Sequence, residues 1–100
     1  MDTDKIKRLK DDQGTALVEI YASWCPHCQK MMPVVEDVKA LLEGSANVYQ
    51  FDIDDNQDFA EKLDVSTIPT FLVFKGGNLM WRTSGEIDGN VLAKKVEEYL

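Results

Sequence analysis

Cysteine is scarce in this chain of 100 residues: there are two, and both fall within one pentapeptide, Trp24-Cys25-Pro26-His27-Cys28. A framework of several disulfide staples is therefore excluded. Histidine occurs once, at position 27, so a closed zinc site within one chain lacks ligands. Positive charge is short as well, with 11 Lys and Arg against 18 Asp and Glu, and the net charge of −7 excludes a nucleic-acid phosphate footprint. No apolar run reaches the roughly 18 residues of a membrane span. The opening Met1-Asp2-Thr3-Asp4-Lys5 has no signal-peptide apolar core. No Gly-rich phosphate loop, nucleophilic-serine motif, internal repeat or low-complexity tract is present. Asp52-x-Asp54-x-Asn56 begins like a calcium loop, but Gln57 replaces its glycine and Leu63 its final glutamate, so it reads as a solvated acidic rim.

What is present is ordinary globular composition, 44% hydrophobic and 29% charged, which rules out disorder. The length suits one domain over residues 1–100, with no linker and no room for a second. The chain reads as soluble, monomeric and cytoplasmic, partnered by neither nucleic acid nor membrane.

Asp2 to Lys10 predicts a short helix, capped by Asp2 or Thr3, with Ile6 and Leu9 on one face. Ala16 to Ala22 is a short apolar run broken by Glu19, as expected of a central strand covered on both faces. Met31, Met32, Val35, Val38 and Leu42 then recur at three- and four-residue steps. They predict an amphipathic helix to about Glu43, kinked at Pro33 and ended by Gly44. Val48 to Ile53 is the next strand, and Asp54-Asp55-Asn56 caps a brief helix bearing Phe59 and Leu63. Gly76-Gly77 joins the strands Phe71 to Phe74 and Leu79 to Thr83 as a hairpin. A last helix from about Asn90 aligns Leu92, Val96 and Tyr99. Strands alternating with helices predict an α/β fold, a mixed sheet with helices on both faces.

Cys25 and Cys28 at the start of a helix lie within one turn, so their sulfurs can close a small disulfide and reopen it without refolding. The first thiol would sit where unpaired backbone N–H groups and the helix dipole favour negative charge, making Cys25 the expected nucleophile. Glu19 on its apolar strand is expected to be buried, which raises a carboxyl pKa.

Four features in order resemble the thioredoxin family over nearly the whole chain: Trp24-Cys25-x-x-Cys28 after a hydrophobic strand, Pro33 five residues on, Ile68-Pro69-Thr70 before a strand, and Phe74-Lys75-Gly76-Gly77 at the hairpin. The resemblance implies a thioredoxin fold and a thiol-disulfide oxidoreductase with no cofactor beyond its redox-active disulfide. Its partners would be protein disulfides or dithiols and a thioredoxin-reductase-like or other redox protein. It also implies a cis Pro69 beside the disulfide, with Ile68 presenting backbone to substrate and Trp24 packed nearby. Glu19 matches the family's buried acid, which helps move a proton from Cys28.

The chain departs from the family pattern in three places. Pro26-His27 resembles the Cys-Pro-His-Cys of bacterial disulfide oxidases of the DsbA type, where an imidazole donating toward the thiolate would make the disulfide more oxidising. Gln50 stands where a Lys is usual near the buried acid. The usual first strand has no counterpart, leaving about four strands and an exposed sheet edge. The competing reading keeps the fold as a non-catalytic binding or metal-carrying module, using Cys25 and Cys28 as ligands, two chains sharing a metal or iron–sulfur cluster.

Overall fold

The computed structural model describes residues 1–100. The apolar run folds as β1 (Thr15–Tyr21), paired in parallel with β2 (Asn47–Asp52) and antiparallel with β3 (Thr70–Lys75), which pairs antiparallel with β4 (Asn78–Ser84). The order β2-β1-β3-β4 makes β1 and β3 central, and this is why β1 is buried almost throughout. Gly76 and Gly77 both have positive φ, 57° and 83°, the type I′ geometry that a two-residue hairpin needs.

Side-chain alternation along β1 divides the core into two. Ala16, Val18 and Ile20 face α1 (Thr3–Asp11) and α3 (Gln57–Lys62), meeting Ile6, Leu9, Phe59 and Ala60. Leu17 faces α2 (Pro26–Leu42) and α4 (Gly89–Glu97), meeting Met31, Val35, Val38, Leu92 and Val96. Glu19 shares the parity of Leu17, so it lies on the α2 face. The expected α/β sheet of four strands with helices on both faces is the fold observed. β2 is an edge, and the Lys5 ammonium covers part of it by donating to the Gln50 carbonyl at 2.7 Å.

Several local expectations are corrected. Met32 is exposed, because only Met31, Val35, Val38 and Leu42 keep the α2 stripe. Asp2 and Asn56 occupy N-cap positions but cap nothing with their side chains, and instead bind each other. Asn56 Nδ2 donates to Asp2 Oδ2 and the Asp2 N–H to Asn56 Oδ1, each at 2.9 Å. Asn56 is thus fully buried and outside any solvated rim.

The cap of α4 is Asp88, whose Oδ1 accepts from the N–H groups of Asn90 at 2.9 Å and Val91 at 3.2 Å. Asp88→Ala is expected to cost about 1 kcal/mol of stability. Urea denaturation checks this through a lower midpoint at an unchanged slope.

Candidate active site

The segment between β1 and α2 turns sharply, with the Cys25 N–H donating to the Ala22 carbonyl at 3.2 Å and Gln29 Nε2 to the Ser23 carbonyl at 2.8 Å. Pro26 is the first residue of α2, a position whose missing N–H costs no hydrogen bond and whose fixed φ suits a helix start. Cys25 is consequently the N-cap, and its sulfur accepts from the Cys28 N–H at 3.4 Å. Both cysteines are free thiols. They form a small cluster with Ala22, against which Tyr21, Ile53 and Ile68 pack. The Ile68-Pro69 bond is cis and Pro69 is buried. The proline loop and the Cys pair, 40 residues apart in sequence, therefore meet at one end of the sheet.

Exposure does not distinguish the thiols, since Cys25 is 5% and Cys28 1% exposed. Met32 is exposed, while Met31 shares the buried face of α2 with Cys28. Cys28 packs on Ala22 and its neighbours. Acidity separates the two. The hydrogen bond from the Cys28 thiol holds Cys25 below the usual thiol range, aided by the backbone N–H groups of Cys28 and His27, while desolvation and the Glu86 charge oppose it. Burial pushes the Cys28 thiol up to about 12, reinforced by its bond to Cys25 and the charges of Cys25 and Glu19.

Glu19 is 2% exposed, and burial raises its pKa. It pairs in register with Gln50, whose Nε2 donates to Glu19 Oε1 at 2.9 Å and partly offsets that rise. Gln50 thereby satisfies the acid without supplying a positive charge.

The two rings of the motif face outward. Trp24 is 64% exposed, and its indole N–H donates to Asp54 Oδ2 at 2.8 Å. His27 does not meet the sulfur: its Nδ1 lies 2.6 Å from Glu86 Oε2. Asp54 and Glu86 are residues that sequence reasoning missed. Asp54 reads from sequence as part of an acidic rim and of a helix cap, and nothing local marks Glu86, 59 residues from its partner. No group of three or more His, Cys, Asp or Glu side chains converges as a metal donor set. No helix is long and apolar enough to cross a membrane.

Comparison with known proteins agrees with this geometry. The Thioredoxin family model matches residues 3–98. The thioredoxin of Staphylococcus aureus is 35% identical over 98 residues, covering 98% of this chain and 94% of that protein. The thioredoxin of Chlorobaculum thiosulfatiphilum is 33% identical over 92 residues, covering 92% and 85%. Among solved structures, a mutant thioredoxin from Halobacterium salinarum superposes with a TM-score of 0.83 at 33% identity, covering 94% of this chain and 81% of that one.

Proposed function

Because the chain belongs to the thioredoxin family, we propose that it is a thiol-disulfide oxidoreductase acting on protein disulfides through Cys25 and Cys28, at a potential more oxidising than that of an ordinary thioredoxin. The observation that carries this reading is the placement of Cys25 at the N-cap of α2, its sulfur accepting the Cys28 N–H at 3.4 Å beside the Ile68-Pro69 loop, which lowers one thiol while burial raises the other.

That divergence orders the chemistry. The Cys25 thiolate attacks one sulfur of a substrate disulfide, forming a mixed disulfide and expelling the other substrate sulfur as a thiolate, which takes a proton. Cys28 then gives up its proton, with Glu19 as the acceptor, and attacks the Cys25 sulfur. The Cys25–Cys28 disulfide closes and the second substrate thiol leaves, so two electrons have passed to the substrate. The reverse sequence oxidises a substrate dithiol. A reductase-like or other redox protein resets the pair, and we place the cycle in the cytoplasm, where cysteine pairs of this kind are transient and catalytic. The cis-proline loop beside the thiols, with Ile68 packed on them, supports Ile68 and Pro69 as the docking backbone for an extended substrate, and exposed Trp24 as its flank.

The potential depends on how well the reduced thiolate is stabilised. Thioredoxin and DsbA lie roughly 150 mV apart, about 7 kcal/mol for two electrons. Pro26-His27 supports a shift toward the oxidising end through the His27 backbone N–H at the Cys25 sulfur rather than through the ring, while Ile68 before Pro69, the thioredoxin version of the loop, leaves it short of that extreme. His27→Pro is expected to make the couple more reducing and to raise the Cys25 pKa. Equilibration with glutathione, together with thiolate ultraviolet absorbance against pH, measures both. Identical values in the two proteins would make this an ordinary reductant despite its motif.

A further inference from the structure

We propose that Glu86 is a positioning residue for His27: its carboxylate holds the imidazole off the Cys25 sulfur and sets a negative charge beside the pair, making the couple less oxidising than Pro26-His27 alone would make it. This rests on the thiol-disulfide reading and adds to it a residue from outside the motif. The geometry is specific. His27 is the second residue of α2, so its backbone N–H faces the Cys25 sulfur while its ring extends outward to Glu86, with 2.6 Å between Nδ1 and Oε2. With Nδ1 occupied there, that nitrogen cannot donate to the sulfur.

Glu86 is held by fixed neighbours on both sides. The preceding Gly85, at φ 93°, donates its N–H to the Pro69 carbonyl at 2.8 Å, which ties the loop to the proline segment beside the thiols. Ser84 Oγ meets Thr70 Oγ1 at 2.8 Å, where β4 ends against β3. The following Ile87 packs into the core between α2 and α4, and Asp88 caps α4. The Glu86 backbone is thereby fixed, and its part-exposed carboxylate reaches the start of α2. The hydrogen bond to His27 favours its ionised form, and the Lys30 charge, three residues beyond His27, acts in the same sense. The Glu86 charge also opposes ionisation of Cys25, in line with the placement.

A negative charge near the thiolate destabilises the reduced form, and capture of the imidazole removes a donor that would stabilise it. The chain thus carries an oxidase-like dipeptide together with an acid that restrains it.

The test is Glu86→Ala in the full chain, which removes both the charge and the oxygen that captures the ring. Equilibration with reduced and oxidised glutathione should show the couple more oxidising by about two- to fivefold in its equilibrium constant, the range for partly exposed charges. Thiolate absorbance should show Cys25 titrating at lower pH. The same substitution in a His27→Pro background separates positioning from bare charge, and there the shift should shrink. An unchanged equilibrium constant in Glu86→Ala, or a shift of the same size with and without His27, overturns the proposal. The glutathione equilibrium reads the couple whether or not the protein turns over a protein disulfide. Absence of exchange in the wild type would therefore sink the enzymatic reading separately.

Discussion

Cys25→Ser is expected to abolish exchange with protein disulfides, a loss on the order of a thousandfold or more, whereas Cys28→Ser should still attack and then stop as a mixed disulfide. The argument does not rest on access, since both side chains are nearly buried. It rests on acidity. At neutral pH the nucleophile must be the thiol that ionises, and hydrogen bonds from the Cys28 thiol and the first N–H groups of α2 converge on Cys25. A hydroxyl in that place remains protonated at neutral pH and offers no comparable attack. Cys28, raised to about 12, is a poor first nucleophile, but it is held three residues along the same turn, where an intramolecular attack on the Cys25 sulfur needs no diffusion. Incubating each variant with a disulfide-containing protein and separating the products on a non-reducing gel tests the roles. Covalent adducts should accumulate with Cys28→Ser and be absent with Cys25→Ser. Equal recovery from both would contradict the assignment.

What the sequence made legible follows the range of the interactions involved. β1, the Gly76-Gly77 turn and the start of α2 at Pro26 are dictated by neighbours in sequence: an apolar run, two residues that tolerate positive φ, and a proline suited to a first helical turn. Burial of Glu19 was readable because strand alternation left it no exposed face. Side-chain polar partners were not readable in the same way. Asp2 and Asn56 are good caps by type, yet each finds the other across 54 residues, a tie stronger than the local alternative because Asn56 is sealed from water. Trp24 and Asp54 meet across 30 residues, and His27 and Glu86 across 59. The resemblance to DsbA points His27 toward the sulfur, and only the tertiary path of the loop after β4 brings a carboxylate to the ring instead. Met32 is a different kind of miss. It sits one residue off the stripe of Met31, Val35, Val38 and Leu42, a rotation of about 100° that carries it out of the core.

Glu19→Gln is expected to slow closure of the mixed disulfide by about a hundredfold at neutral pH, within the usual range for loss of a positioned proton acceptor. Burial is the main cause of the high Cys28 pKa and persists when Cys25 is tied up in the mixed disulfide, so an unassisted Cys28 stays protonated. Burial also raises the Glu19 pKa, which makes its carboxylate a stronger base, and Gln50 offers only a neutral donor that does not cancel the effect. The amide introduced by the substitution could still accept from Gln50, so the fold should persist. Stability should move in the opposite sense to rate. A carboxyl with a folded pKa above its unfolded value gives a contribution that is complete below the ordinary range near 4.5 and lost as pH rises through the raised value. Wild type and variant should therefore differ least at acid pH, with the variant gaining as pH climbs and keeping its advantage at neutrality. Kinetics should mirror this. Wild-type closure should accelerate as Glu19 ionises and then level off, while the variant should accelerate in proportion to hydroxide until the buried Cys28 itself ionises in alkali, so the gap narrows there. Stopped-flow release of the second substrate thiol across pH gives both curves. Retention of the wild-type inflection in Glu19→Gln would move the proton acceptor elsewhere.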